Sequence, residues 1–281
     1  MMKLKTMIST KKLQHCIVVL SICFTNIIFA QKIKPTDSGY VKTNGATIFY
    51  QIYGDGEPLL LLHHFQSTGT DSWSPFIAEF SESFKLVIPD LRGHGQSTEP
   101  NPDLPYAIEP AADDMITLLD SLKLKNVKSI GSSVGGAILY SAALKRPELF
   151  SDMVTIGGIV FRPQVFRQWI KNHPDDQVTP ELIKLHGAEK AATLISQFNQ
   201  AADFYGDHEL TPDLLAKITT RTLIINSDKD PLVPVEHAWH IYQSVPNGHL
   251  WVVPHLSHLP HLYPEIQDEF RKRVLDFLKA R

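Results

Sequence analysis

Seven short apolar runs, set among longer amphipathic stretches, constrain this chain more than any other feature. Thr47–Tyr53, Leu59–His63, Leu86–Pro89, Val127–Ile130, Met153–Ile159, Thr222–Asn226 and Leu250–Val253 read as strands. Helical periodicity covers Pro75–Ser83, Ala107–Leu122, Val134–Lys145, Val235–Ser244 and Pro264–Ala280. Pro75 is expected in a first helical turn, and Pro147 closes the helix that opens at Val134. Strands joined through helices of this length need crossover connections. The expected fold class is therefore α/β: a mostly parallel central sheet with helices on both faces. Leu59–Leu62 is apolar without alternation, as a central strand covered on both faces must be.

One stretch breaks that rhythm. About sixty residues between Ile159 and Thr222 hold no strand pattern, only helical pieces at Gln164–Lys171, Pro180–His186, Ala188–Phe204 and Thr211–Ile218. An insert at that point would sit above the carboxyl edge of the sheet, where open α/β folds bind ligands. Residues of about 161–210 are accordingly expected to form a short helical lid. Phe161, Phe166, Trp169, Phe198, Phe204 and Tyr205 could line a pocket beneath it, or equally pack the insert's helices together.

The first thirty residues are of a different material. Lys3, Lys5, Lys11 and Lys12 precede an apolar run from Cys16 to Phe29, and a small residue follows at Ala30. The run is short for a bilayer span, which takes about 20 apolar residues. The pattern reads as an export signal over residues 1–30, cut before Gln31, with an uncleaved anchor as the alternative. The expected organisation is that signal followed by one α/β domain over residues 31–281, periplasmic or secreted.

Cleavage would remove four of the 27 Lys and Arg and none of the 30 Asp and Glu, taking the net charge from −3 to −7. Such a surface does not suit nucleic acid, which calls for a basic excess. Cys16 and Cys23 both fall inside the signal, so the mature chain would have no disulfide, thiolate metal site or cysteine nucleophile. Ile22 is too bulky for a lipoprotein signal ending at Cys23.

The strongest local motif is Gly131-Ser132-Ser133-Val134-Gly135, directly after one expected strand and directly before a helix. In a G-x-S-x-G turn, glycines permit a sharp strand-to-helix reversal that lifts the central serine above the sheet, at the positive end of the helix. The spacing selects Ser133 over Ser132. A serine hydroxyl needs a base, itself oriented by an acid. Both occur downstream in the required order: Asp228 and Asp230 follow the strand Thr222–Asn226, and His255 and His258 follow Leu250–Val253. His255, His258 and His261 also recur every third residue, with His237 and His240 upstream. That spacing matches neither a zinc helix nor a strand face, and Pro254 and Pro260 interrupt it, so no metal is expected.

Over nearly all of the mature length the chain resembles the α/β-hydrolase family. Leu61-Leu62-His63-His64-Phe65 is similar to that family's H-G-x turn, and Asp90–Ser97 to its D-x-R-G-x-G-x-S loop. Ser227–Pro234 resembles G-x-x-D-x-x-x-P, which implies Asp230 as the acid. His258-Leu259-Pro260 resembles G-H-x-P, which implies His258 as the base. The resemblance further implies an oxyanion hole from the backbone N–H groups of Phe65 and Val134. His64 stands where the family carries glycine, and a left-handed backbone there would be costly. Relatives that open epoxides or displace halide carry aspartate at the elbow, whereas this chain has Ser133.

The expected function is a serine hydrolase with Ser133, Asp230 and His258 as catalytic residues, acting on a small or medium carboxylic ester or lactone without cofactor. Its partner would be a small-molecule substrate, and no membrane span would remain after signal cleavage. Activity is expected to fall below about pH 6 to 7 as the base protonates. The alternatives are a carbon–carbon bond hydrolase, a cofactor-free perhydrolase on the same residues, and a non-catalytic ligand receptor of the same fold.

Overall fold

A computed structural model of the chain describes residues 33–99, 101–174, 177–204 and 208–280. The expected export signal and Tyr205 lie outside them. Eight strands form one sheet: β1 (Asp37–Lys42), β2 (Thr47–Tyr53), β3 (Glu57–Leu62), β4 (Phe84–Pro89), β5 (Val127–Ser132), β6 (Phe150–Ile156), β7 (Arg221–Ser227) and β8 (Gly248–Val253). Their spatial order is β1-β2-β4-β3-β5-β6-β7-β8. The β1–β2 and β2–β4 pairs are antiparallel, and every pair from β4–β3 to β7–β8 is parallel.

The helices are α1 (Gly69–Phe80), α2 (Ile108–Ser121), α3 (Val134–Lys145), α4 (Gln164–Asn172), α5 (Pro180–His186), α6 (Ala188–Gln200), α7 (Pro212–Leu215), α8 (Val235–Ser244) and α9 (Gln267–Lys279). They divide the core into two layers. Trp73, Phe76 and Phe80 of α1 join Phe270 and Val274 of α9 on one face, against Leu59 and Leu61. Met115 of α2, Ile138 of α3 and Ile241 of α8 cover the other face, against Leu60 and Leu62. β3 is therefore apolar at successive positions because its side chains enter both layers.

Several elements differ from the sequence expectation. β1 went unread because only Tyr40 and Val41 are apolar in it; as an edge strand it leaves much of its length exposed. Helix α1 begins at Gly69, not Pro75, because the Thr68 hydroxyl caps it by accepting the Asp71 N–H. Pro75 lies inside that helix and has no N–H to give, and the Ser74 hydroxyl donates instead to the Asp71 carbonyl, at 3.1 Å. The stretch expected as Ala188–Phe204 ends its helix at Gln200, and Thr211–Ile218 shrinks to the single turn α7, which Thr211 caps.

Chain order places the site. From β3 the chain moves one way across the sheet to β4, then crosses back to β5 on the other side of β3. The carboxyl ends of β3 and β5 thus flank a topological switch point, where an open α/β sheet leaves a crevice. Leu62 is paired with Gly131 there, so the loops opening at His63 and Ser133 emerge side by side.

Candidate active site

The turn between β5 and α3 is strained. Ser133 has φ 52 and ψ −114, a conformation that costs a residue with a side chain on the order of 1–3 kcal/mol. Its surroundings enforce it: the Ser133 N–H donates to the Ile156 carbonyl at 2.7 Å, and the flanking glycines allow close approach. A Cβ at Gly131 would sit 2.5 Å from the Gly135 backbone, and one at Gly135 would sit 2.6 Å from the Leu62 carbonyl oxygen. Gly135→Ala should therefore cost about 1–3 kcal/mol of overpacking. It should also lower turnover, since the backbone it displaces is the Leu62–His63 segment; denaturant titration beside an ester assay checks both.

The strained turn aims Ser133 Oγ at His258, whose Nε2 is 2.9 Å away. The other ring nitrogen, Nδ1, is 2.6 Å from Asp230 Oδ2. A carboxylate only accepts, so Nδ1 carries the proton and Nε2 is left to accept the serine proton. Asp230 Oδ1 is held by the N–H groups of Leu232 and Val233 at 2.8 and 2.9 Å, which fixes the carboxylate in its buried position. Asp228, two residues away, instead accepts the His255 N–H with Oδ1 at 2.6 Å and staples one loop to the next. The Ser132 hydroxyl is buried and without a partner among the described residues.

Around the same cavity as Ser133 and His258, the backbone N–H groups of Phe65 and Val134 have no protein acceptor among the described residues. Val134 begins α3, so its N–H is unsatisfied within the helix and lies at the positive end of the dipole. His64 does not take the left-handed conformation that glycine would permit; the positive φ falls on Gln66, at 64°. Two histidine rings hold Gln66 there. Its N–H donates to His94 Nε2 at 3.2 Å, and its carbonyl accepts from His186 Nε2 at 3.1 Å.

Those rings belong to a set of neutral, buried histidines. His63 accepts the Leu91 N–H on Nε2 at 2.9 Å and donates from Nδ1 to the His64 carbonyl at 2.7 Å. His94 donates from Nδ1 to the Arg92 carbonyl at 2.9 Å. Burial holds His63 down to about 3 and His94 well below the usual imidazole range. His64 is likewise lowered to about 3, by burial and then by His63 and His258. The Asp90–Ser97 loop is structural too. Asp90 accepts the N–H groups of Gly69 and Gln96, both at 2.9 Å, and Arg92 grips the fully buried Asp114 at 2.7 and 2.9 Å.

Helices α4, α5 and α6 lie between β6 and β7, where the sequence expects the insert, and α5 and α6 bind that loop. His186 accepts the Gly95 N–H at 2.9 Å, while Lys190 Nζ donates to the carbonyls of Gly95 and Ser97 at 2.8 and 2.7 Å. A cavity of about 130 Å³ lies beside Ser133 and His258, walled partly by Phe65, Ile108, Phe166 and Phe198. Of the other aromatics named from sequence, Phe161 packs on His237, Trp169 stacks on His173, and Phe204 lies under the Arg162 guanidinium. Tyr106, Arg162 and Gln197 also line the cavity. No motif marks them, and only the folded arrangement of the insert brings them there. Among the described residues no cluster of His, Cys, Asp and Glu could hold a metal, and no helix is long and apolar enough to cross a membrane.

Residues 57–177 match the alpha/beta hydrolase fold family model. Mouse serine hydrolase BPHL is 31% identical over 257 residues, covering 86% of each chain. A putative carbamate hydrolase, RutD, of Pseudomonas savastanoi is 28% identical over 80% of this chain and 95% of its own length. Among solved structures, a hydrolase from Pseudomonas aeruginosa superposes with a TM-score of 0.71 at 23% identity, over 88% of this chain and all of that one. A likeness of that extent to the mouse enzyme, on a mostly parallel eight-stranded sheet, shows that this chain belongs to the alpha/beta hydrolase fold family and is a hydrolytic enzyme.

Proposed function

We propose that the protein is a serine hydrolase cleaving a small or medium carboxylic ester or lactone through Ser133, His258 and Asp230. The observation that carries this reading is the unbroken path from Asp230 to His258 at 2.6 Å and from His258 to Ser133 at 2.9 Å. The name of the mouse relative, a serine hydrolase, fits a serine nucleophile.

In the first half-reaction Ser133 Oγ attacks the carbonyl carbon and passes its proton to His258 Nε2. The buried Asp230 carboxylate stabilises the imidazolium that results, and holds the ring so that Nε2 faces the serine. Negative charge gathers on the carbonyl oxygen, where the N–H groups of Phe65 and Val134 would receive it. His258 then protonates the departing alkoxide, leaving an acyl group on Ser133. Water attacks that ester by the reverse route. The helical insert serves as a lid that keeps the acyl-enzyme from bulk water. The basic start and short apolar run of residues 1–30 extend the proposal to export, with a mature terminus at Gln31 to be read by mass spectrometry of protein from the native cell.

Fluorophosphonate treatment followed by peptide mapping tests the nucleophile, alongside turnover of a p-nitrophenyl ester. One adduct, on Ser133, together with turnover is the expected result. A folded protein that takes no label and turns over no ester would overturn the proposal.

A further inference from the structure

The cavity beside Ser133 has mostly apolar walls, and one of its lining side chains, Gln197 of α6, is only 1% exposed. Its Nε2 donates to the Leu104 carbonyl at 3.0 Å. That bond decides which way the amide lies, because the flipped form would set two oxygens against each other. The carboxamide oxygen is consequently fixed as an acceptor, and it is buried with no partner among the described residues. A buried acceptor left unpaired forfeits the hydrogen bond it would have made to water, so side chains of this kind are normally satisfied.

We infer that Gln197 is a specificity-determining residue whose free oxygen accepts a hydrogen bond from the substrate. The inference rests on the hydrolase reading above and names its substrate class. The cavity of about 130 Å³ is close to the ~150 Å³ void that takes up a benzene ring. The part of the substrate it receives is therefore a ring-sized apolar body carrying a hydroxyl or N–H group. A methyl ether at the same place offers only an acceptor and faces the Gln197 oxygen without a proton to share.

Two ester series test this. The first holds p-nitrophenyl phenylacetate with its 3- and 4-hydroxy and 3- and 4-methoxy derivatives; the second holds benzyl acetates substituted in the same way, in case the alcohol half occupies the cavity. A hydroxyl ester in one series should exceed both its parent and its methoxy counterpart in kcat/KM by about tenfold or more, since each tenfold corresponds to about 1.4 kcal/mol. Gln197→Leu should bring that ratio close to one. Hydroxyl esters unpreferred in both series would overturn the inference and mean that the oxygen takes no partner from the substrate; so would a preference that survives Gln197→Leu. A wild-type enzyme without the preference overturns the inference whether or not the variant folds. Turnover of the parent esters without a hydroxyl preference removes this inference alone. No turnover of any ester, with Ser133 unlabelled by fluorophosphonate, removes the hydrolase reading and this one with it.

Discussion

Ser133→Ala should lower kcat for a p-nitrophenyl ester by about 10⁶-fold, the scale of loss when a triad serine is removed, while the protein stays folded. The hydroxyl is the group held 2.9 Å from His258, and no neighbouring side chain can replace it. Ser132 is the nearest candidate, and its hydroxyl is buried without touching the histidine. Ser132→Ala should accordingly keep most of the turnover. Asp230→Asn should lose about 10⁴-fold, because an amide in place of the carboxylate favours the wrong ring tautomer. Asp228→Asn, acting on a loop contact to the His255 N–H, should lose far less. Ser133→Gly separates chemistry from stability: it should be as inactive as the alanine variant, yet gain stability because glycine relieves the positive φ at residue 133. Steady-state kinetics and thermal unfolding of these five variants check the set, and a Ser133→Ala enzyme that still turns over normally would sink the nucleophile assignment.

Much of the fold was legible because its elements obey strong local rules. β2, α3, α5 and α8 follow the residues that hydrophobic periodicity and capping outline. The weak points were places where local signals compete. Pro75 resembles a helix start, but Thr68 and Asp71 form the cap and Ser74 repairs the lost bond. β1 has too few apolar residues for a pattern, since it stands at the sheet edge and is mostly exposed. In the site, glycine spacing singled out Ser133 before any resemblance entered, whereas the residues alone left Asp228 and Asp230 open. What separates the two aspartates is the direction of each carboxylate within one loop, which spacing does not encode. His64 presented the converse case. A family comparison flags it as a strained replacement for glycine, but the positive φ is borne two residues later by Gln66, between two histidine rings. Gln197 carried no signal, because its meaning depends on Leu104, on α6 and on the cavity together.

Acid should unfold this protein well before it protonates most carboxylates. Burial lowers His63 and His64 to about 3 and His237 to about 4. In the unfolded chain each returns to about 6.5. A histidine depressed by folding contributes its full stability above about pH 6.5 and loses it as pH falls toward the folded value, because the unfolded chain then binds the extra proton. At pH 5 each of the three forfeits about 2 kcal/mol relative to pH 8, somewhat less for His64 because part of its lowering comes from a charge on His63. Set against a domain's usual ~5–15 kcal/mol, that is a large share. His94 and His261 shift in the same direction. Asp90 has the opposite sign, since burial raises it; its contribution is complete only below about 3.8 and fades as pH rises. Glu109, lowered to about 2 by His208 and others, forfeits stability only below about 4.5, after the histidines have begun to act. Denaturant midpoints measured from pH 8 to 5 should fall steeply below about 6.5, and a flat profile would show that these rings are not buried neutral. His261→Leu isolates the cause. That ring lies fully buried among Trp73, Phe76 and Phe270, with neither nitrogen partnered among the described residues, so leucine forfeits no hydrogen bond. The variant should gain more stability at pH 5 than at pH 8, because only in acid does the wild-type ring favour the unfolded chain.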